Sequence, residues 1–235
     1  MVQEKIERAC ERAGRNPSEV TLVLVTKNVS VEKMREAYDA GARDFGENRV
    51  QEFLAKKPEL PGDLRWHFVG HLQTNKVKSL AGEIHLLHSL DRLELAEEIQ
   101  KQAEKKNLIV EALLQVNTTG ETTKSGFTPE KMRAKAEEVA KMNRIRLHGL
   151  MTIGPLTENE TAIRESFREL RDLREELKNN FPRFDFPGLS MGMSSDFEMA
   201  IEEGATIVRI GTAVFGKRSP KSAVDSPQKE KDNGI

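Results

Sequence analysis

The chain has 235 residues, of which 37% are apolar and 32% are charged, a composition typical of one large globular domain. Its 37 basic and 38 acidic residues leave a formal net charge of −1, so charge gives no reason to expect nucleic acid or an anionic membrane as a partner. A single cysteine, Cys10, excludes an internal disulfide and a cysteine metal cluster. No apolar run is long enough to span a membrane and no signal-peptide pattern is found, so we expect a cytoplasmic protein.

Short apolar runs alternate with amphipathic helical patterns along the chain. Several of these runs are almost continuously apolar, which is typical of strands buried on both faces of a parallel sheet. The predicted strands cover 20–26, 44–46, 65–70, 84–90, 110–117, 147–154, 188–193 and 206–216. Eight strands that alternate with helices predict an α/β fold of the (β/α)8 TIM-barrel type rather than an open, doubly wound sheet.

Local signals predict where several of the helices begin. Ser30 and Thr128, the latter followed by Pro129, are typical N-caps. Three pairs form possible capping boxes, namely Asp91 with Glu94, Thr157 with Glu160, and Ser195 with Glu198. In the long helix after the sixth strand, a core-facing stripe is predicted at Ile163, Phe167, Leu170, Leu173 and Leu177.

The two ends of the chain differ from the repeating pattern. No helical pattern follows the eighth strand, and we expect an N-terminal helix over 3–13 to cover that gap. Residues 219–235 are rich in Ser, Pro and charge, so we expect them to be disordered. The predicted organisation is one barrel domain over 1–218 and a polar tail over 219–235.

Lys27 is the most unusual residue at a strand end. TIM-type barrels place their active sites at the carboxyl ends of the strands, and Lys27 follows directly on the first apolar run. A stem desolvated in the barrel mouth, with other cations nearby, would make the amine nucleophilic. Position alone, however, favours an ordinary solvated lysine.

A second candidate feature lies after strands seven and eight, where barrels often bind phosphate. Gly211 would let a ligand approach the backbone closely, and consecutive N–H groups with the Thr212 hydroxyl could hold a phosphate. Ser190 and Ser194 would supply the other half of such a site. Each of these short motifs is weak alone, because packing explains a glycine equally well.

The five histidines show no metal-ligand spacing. His85 and His88 lie three apart in one predicted strand, so we expect them to face opposite sides. Only His71 is expected near a ligand, and capping of the next helix would explain it equally. The chain also lacks the GxSxG and GxxxxGK[ST] motifs of hydrolases and nucleotide-binding proteins.

Seven segments, taken together and in order, resemble the pyridoxal phosphate homeostasis protein family. They are LVTK (24–27), FGENRVQE (45–52), WHFVGHLQTNK (66–76), HSLD (88–91), GLM (149–151), LSMGMSSD (189–196) and VRIGT (208–212). The resemblance implies a single barrel like the N-terminal domain of alanine racemase, with pyridoxal 5′-phosphate (PLP) as cofactor. It implies no metal.

The resemblance also implies a role for each candidate residue. Lys27 would be the Schiff-base lysine, Arg209 would face the pyridine nitrogen, and Asn48 and His71 would lie near the ring. The residues around the phosphate would be Ser190, Ser194, Gly211 and Thr212. The implied function is intracellular PLP homeostasis without robust enzymatic activity. Free amino acids and PLP-dependent apo-enzymes would be the exchange partners, and we expect a monomer.

Two enzymatic alternatives stay open at the level of sequence. An amino-acid racemase would need a proton donor on each face of its intermediate, and racemases that share this barrel take a tyrosine from a second domain. Tyr38, the single tyrosine, lies in a predicted helix and suits packing better. A guanidinium at Arg209 would disfavour protonation of the ring nitrogen, which also suits a carrier. A class I aldolase would use Lys27 without PLP and would be colourless.

Overall fold

The computed structural model of the chain describes residues 1–181 and 186–216. Eight parallel strands pair in chain order, and the eighth pairs with the first, so the sheet closes into a barrel. The strands are β1 (Thr21–Val25), β2 (Asp44–Glu47), β3 (Arg65–Phe68), β4 (Leu86–Leu90), β5 (Val110–Gln115), β6 (Ile145–Met151), β7 (Gly188–Ser190) and β8 (Ile207–Ile210). The predicted (β/α)8 TIM-type barrel is confirmed, while the predicted tail over 219–235 lies outside the described residues.

Helices alternate with the strands along the chain, beginning with α1 before β1. They are α1 (Val2–Arg12), α2 (Val31–Asp39), α3 (Val50–Lys56), α4 (Val77–Leu80), α5 (Leu93–Lys106), α6 (Pro129–Ala140), α7 (Glu160–Asn180), α8 (Phe197–Glu202) and α9 (Thr212–Phe215). Within the described residues, no helix has the length and apolar content needed to cross a membrane.

Two of the predicted helix starts are confirmed. Ser30 accepts a hydrogen bond from the Lys33 amide, and Thr128 accepts one from the Lys131 amide, as N-caps do.

The three predicted capping boxes are wrong, because each helix begins after a different residue. Helix α5 begins after Arg92, since the Asp91 carboxylate binds Arg92 and His71 instead of the helix amides. Helix α7 is capped by Asn159, and α8 begins after Asp196. These starts are shifted by one or two residues from the predicted ones.

The N-terminal helix packs against α8, next to the last strand in sequence. Arg12 forms ion pairs with Glu198 and Glu202, and Arg15 donates to the carbonyls of Ile201 and Ala205. Cys10 is buried in α1, as expected of a residue that fills space. After β8 the chain forms only the short helix α9, so α1 supplies helical cover in this part of the barrel.

The apolar core has two parts that the barrel wall separates. The larger part lies between the sheet and the helices and includes the predicted stripe of α7, which is buried throughout. A small cluster of Leu86, Leu113 and Met151, with Ile207 packed against it, is separate from the larger part. Inside the barrel, the apolar cluster beneath the carboxyl ends of the strands is therefore small.

Replacement of Phe167 by Ala tests the packing of α7. The ring is fully buried, so we expect the free energy of unfolding to fall by about 3–5 kcal/mol, from lost burial and the cavity left behind. Urea titration followed by circular dichroism measures this loss. Leu156→Ala is the control, since Leu156 is fully exposed and its removal should change stability by no more than about 0.5 kcal/mol. Equal effects of the two variants would contradict the assigned packing.

Candidate functional site

An open cavity of about 560 Å³ lies at the carboxyl ends of the strands. Seven of the eight predicted site residues line it, namely Lys27, Asn48, His71, Ser194, Arg209, Gly211 and Thr212. Ser190, the eighth, is fully buried and is not among the lining residues. Barrel closure therefore brings together residues that are up to 185 positions apart in the sequence, from 27 to 212.

Lys27 reaches the cavity because strand side chains alternate between the two faces of a sheet. Val25 and Lys27 both line the cavity. Leu24, before Val25, and Thr26, between the two, pack on the outer side of the barrel. The side chain of Lys27 is exposed, as its position alone favoured, and the alternative of a desolvated stem is not observed. Within the described residues no hydrogen bond or ion pair engages its amine. A ligand in the cavity can therefore reach it freely.

A buried ionic cluster holds the turn that carries this lysine. The Lys56 ammonium donates to the Thr26 carbonyl at 2.8 Å, to Glu47 at 2.6 Å and to Glu52 at 3.0 Å. The Thr26 hydroxyl also donates to Glu47, and the Asn28 amide donates to Glu52. Asn28 adopts a left-handed conformation with φ of 57°, which asparagine tolerates better than most residues. The cluster thus fixes both sides of the turn around the lysine.

This cluster accounts for part of the FGENRVQE segment, and the sequence reasoning missed it. Glu47 is completely buried, and burial raises the pKa of its carboxyl, an effect opposed by the adjoining Lys56. Glu52 and Lys56 lie four apart on α3, a spacing that brings helical side chains together. That spacing was the available signal, but nothing local showed that the pair would meet Thr26.

The loop after β7 is connected to the start of α9. The Ala213 amide donates to the Ser194 hydroxyl at 3.3 Å, and the Asp196 carboxylate accepts from the Met193 amide at 2.5 Å. Gly192 has φ of 91°, and a Cβ there would lie 2.6 Å from the Cβ of Ala200. The tight turn therefore requires glycine and brings the Ser194 hydroxyl beside the first residues of α9.

Arg209 forms part of the cavity floor and is almost fully buried. Its guanidinium donates to the Ser190 hydroxyl at 2.6 Å and to the Thr152 carbonyl at 2.7 Å. Burial lowers the pKa of Arg209 to about 10, an effect that Asp196 partly opposes, so the group is charged at neutral pH. Ser190 lies one layer beneath the cavity and binds the arginine. Its predicted contact with a phosphate stays a prediction.

Asn48 and His71 lie on the wall formed by the ends of β2 and β3. The Oδ1 atom of Asn48 is buried and has no hydrogen-bond partner within the described residues. A Cβ at Gly70 would come within 2.2 Å of the Asn48 carbonyl oxygen, so only glycine fits between these strand ends. His71 is exposed and its Nδ1 lies 2.8 Å from Asp91. Because a carboxylate only accepts, Nδ1 carries the proton and Nε2 is left free.

The loop after β5 adds lining residues that the sequence reasoning missed. They are Thr123, Lys124 and Ser125, and Gln115 at the end of β5 also lines the cavity, with Ile153 and Met193 completing the rim. Lys124 donates to Glu121 at 2.6 Å and to the Gly154 carbonyl at 3.0 Å. Asn117, which the sequence placed at the end of strand five, donates to the Glu121 carbonyl and shapes this loop instead. Strand β5 ends two residues earlier than predicted, which moves Gln115 to the cavity.

The predicted opposite orientation of His85 and His88 is wrong. The His67 ring lies 5.5 Å from the His85 ring and 5.1 Å from the His88 ring, centroid to centroid. The reason is that β4 begins at Leu86, so His85 precedes the strand and does not follow its alternation. Over residues 1–181 and 186–216, no group of three or more His, Cys, Asp or Glu side chains is arranged to hold a metal ion.

The chemistry of the cavity fits PLP. The lining residues described above include three basic side chains, those of Lys27, Lys124 and Arg209, and no Asp or Glu, which suits a phosphorylated ligand. The Ser194 and Thr212 hydroxyls lie at one side of the cavity, and the unpartnered Asn48 Oδ1 offers an acceptor. A primary amine for an aldehyde and donors for a phosphate are thus present in one site.

Tyr38 is remote from this cavity. Its hydroxyl donates to Asp63 at 2.8 Å, and the Arg43 guanidinium stacks over its ring at 3.9 Å from the centroid. The expectation that it serves packing rather than proton transfer is consistent with this position.

The sequence has close relatives over almost its full length. The family model of the alanine racemase N-terminal domain matches residues 2–219. The pyridoxal phosphate homeostasis protein of Aquifex aeolicus is 52% identical over 218 residues, covering 92% of this chain and 95% of that protein. The protein of the same name from Escherichia coli is 40% identical over 222 residues, covering 92% and 94% of the two chains.

Solved structures share the same barrel. PipY of Synechococcus elongatus PCC7942, solved with PLP bound, is 37% identical with a TM-score of 0.80, covering 90% of this chain and 100% of its own. An alanine racemase of Clostridium difficile 630 is 15% identical with a TM-score of 0.71 and is covered over 55% of its length. The second likeness shows the fold alone.

Replacement of Lys56 by Met tests the buried cluster. It leaves the fully buried Glu47 carboxylate without its cation, so we expect a loss of about 3–5 kcal/mol in the free energy of unfolding. Lys57→Met is the matched control, because the Lys57–Glu83 pair is exposed and should contribute about 0–1 kcal/mol. Urea unfolding at pH 7 measures both. Glu47→Gln added to Lys56→Met should restore part of the loss, and no restoration would contradict an uncompensated charge as the cause.

Proposed function

The chain belongs to the pyridoxal phosphate homeostasis protein family, whose barrel is the alanine racemase N-terminal domain, and we propose that it holds PLP as a Schiff base on Lys27. The observation that carries this proposal is the exposed, unengaged amine of Lys27 in a cavity that lacks carboxylates and has the Arg209 cation in its floor. The proposed role is PLP homeostasis in the cell.

Each lining residue has a proposed part in holding the cofactor. Lys27 supplies the amine, while Ser194, Thr212 and the Gly211 backbone surround the phosphate, with Ser190 supporting from beneath. Arg209 faces the pyridine nitrogen and, as a charged donor, keeps that nitrogen unprotonated. Asn48 and His71 lie beside the ring. When bound, PLP supplies an electrophilic aldehyde carbon and an electron sink that is weak while its ring nitrogen is unprotonated.

A carrier suits this arrangement better than a racemase. Arg209 weakens the electron sink, and Tyr38 is too remote to donate a proton to a bound ligand. Lys27 is exposed in an open cavity, so an incoming free amine can reach its linkage to the cofactor and exchange with it. We propose free amino acids and PLP-dependent apo-enzymes as exchange partners. The monomeric state and the cytoplasmic location stay predictions.

Lys27→Ala is the direct test of the linkage. Wild-type protein loaded with PLP should show the visible absorption of an imine, and Lys27→Ala should lose it, because no amine remains at that position. Lys124→Ala is the control, since Lys124 lines the same cavity but is held by Glu121 and the Gly154 carbonyl. Difference spectroscopy measures the visible band. Borohydride trapping followed by mass spectrometry locates the modified lysine. A wild-type protein that stays colourless with excess PLP would overturn the proposal and favour an aldolase-like use of Lys27.

A second experiment separates the carrier from an enzyme. PLP on the purified protein should pass to an apo-enzyme faster than it dissociates into buffer. The measurement is the rate at which the apo-enzyme becomes active, with and without a phosphatase that removes free PLP. The loaded protein, offered a panel of amino acids, should racemise or transaminate them far more slowly than about 1 s⁻¹. Turnover at that rate or faster would make the protein an enzyme, and transfer no faster than free dissociation would refute direct delivery.

A further inference from the structure

A chain of hydrogen bonds crosses the inside of the barrel from Arg209 to the opposite mouth. The Arg209 guanidinium contacts Ser190 at 2.6 Å, Ser190 contacts His88 Nδ1 at 2.8 Å, and His88 Nε2 contacts His67 Nδ1 at 2.9 Å. His67 Nε2 then contacts Asp44 at 3.0 Å. The two histidines and the serine are at most 3% exposed. The residues come from strands β2, β3, β4, β7 and β8, and none except Arg209 lines the upper cavity.

Asp44 fixes the direction of every bond in this chain. Its carboxylate forms a bidentate pair with Arg65, at 2.7 and 2.5 Å, and lies in the wall of a second cavity at the amino ends of the strands. Burial raises the pKa of Asp44, but the hydrogen bonds from His67 and Arg65 outweigh that effect and lower it to about 2. The group is therefore an acceptor at neutral pH, and His67 must carry its proton on Nε2.

In the neutral form of the two rings, which is part of the inference drawn below, the number of donors on each ring sets the direction of the remaining bonds. With its proton on Nε2, His67 has an acceptor at Nδ1, so His88 must donate from its own Nε2. His88 then accepts at Nδ1 from the Ser190 hydroxyl, and the Ser190 oxygen accepts from Arg209. Burial lowers the pKa of His88 well below its ordinary value, and the charge of Arg209 acts in the same direction. A neutral His88 with its proton on Nε2 satisfies every partner.

We propose that Asp44, His67 and His88 are positioning residues for Arg209, forming a one-way relay that fixes the Ser190 hydroxyl as an acceptor and so orients the guanidinium toward the cofactor ring. The inference rests on the proposed function in so far as the ring is that of PLP. It adds that Asp44, at the far end of the barrel and outside the upper cavity, controls the contact of Arg209 with the ring.

The relay compensates a buried cation without placing an anion beside it. The two groups that Arg209 donates to, the Ser190 hydroxyl and the Thr152 carbonyl, are both neutral. Chains of hydrogen bonds polarise one another, so the Asp44 charge strengthens the acceptor that Ser190 presents. Arg65, His85 and His148 face the same lower cavity as Asp44, and Asp196 acts on Arg209 from the loop after β7. Of these groups, only Asp44 is hydrogen-bonded to a relay histidine within the described residues.

The positions of the histidine protons are the primary test. In 15N-histidine-labelled protein without cofactor, long-range 1H–15N spectra at pH 7 should show His67 and His88 neutral with the proton on Nε2. A charged His88, or a proton on Nδ1 of either ring, would overturn the relay. This measurement needs no variant and no PLP, so it is independent of whether the proposed function holds.

Asp44→Asn tests whether the far end controls the chain. Arg65 will occupy the amide oxygen, so the amide nitrogen must donate to His67, and the protons of both rings should move to Nδ1. Arg65→Gln is the control, because it removes the ion pair but leaves the Asp44 carboxylate as acceptor, and its tautomers should match the wild type. Unchanged tautomers in a folded Asp44→Asn protein would refute the control by Asp44.

Binding of pyridoxine 5′-phosphate links the relay to the ring contact. This ligand has no aldehyde, so its affinity reports the ring and phosphate contacts without the Lys27 linkage. We expect Asp44→Asn to weaken it about five- to tenfold and Arg65→Gln by less than about twofold. If the tautomers of Asp44→Asn change but its affinity for this ligand does not, the hydrogen-bond chain does not position Arg209, and the proposal is refuted. If wild-type protein binds neither this ligand nor PLP, the proposed function fails instead.

Discussion

A charged guanidinium buried at the bottom of a cavity is the constraint around which this barrel interior is organised. Burying a cation in a low-dielectric interior is unfavourable unless its donors are satisfied. Here a serine hydroxyl and a backbone carbonyl each accept a hydrogen bond from the guanidinium, and two histidines connect the serine to an aspartate. The barrel interior therefore contains a polar chain of hydrogen-bonded side chains and, apart from it, an apolar cluster of Leu86, Leu113 and Met151. Arg209 keeps its charge and the cavity above it stays free of carboxylates.

The turn that carries Lys27, on another wall of the cavity, is stabilised in a different way from Arg209. The amine of Lys27 is exposed, and hydrogen bonds hold the backbone around it rather than its side chain. The Lys56 ammonium, shared between Glu47 and Glu52, holds the Thr26 carbonyl. A rigid turn with an exposed lysine suits a carrier whose linkage must be accessible to incoming amines.

The comparison with alanine racemase separates what the barrel provides from what function requires. At 15% identity the two proteins share the barrel, and the fold by itself carries no activity. The proposed site lies at the strand ends, where several of the family-like segments, such as FGENRVQE, also lie. The assignment therefore rests on the 37–52% identical relatives and on the lining of the cavity.

Local information determined much of this protein. Short runs along the chain predicted all eight strands, which are three to seven residues long in the structure, and the alternation of strand side chains pointed Lys27 into the cavity. Ordered segments such as FGENRVQE and WHFVGHLQTNK identified the family and seven of the residues that line one cavity. These features were readable because strand periodicity and short motifs depend on neighbours in the sequence.

Only the closed barrel decided the contacts between strands that are distant in the chain. Ser190 and His88 lie 102 positions apart, and no local pattern indicated that they would meet inside the barrel or that Ser190 would support Arg209 from beneath. The same holds for Lys56 and Thr26, 30 positions apart, and for Lys124 and Gly154 at the rim. The predicted orientation of His85 failed because β4 begins two residues later than expected, at Leu86 rather than at residue 84. Closure and the exact start of each strand set which side chains share the interior, and both depend on the packing of the whole chain.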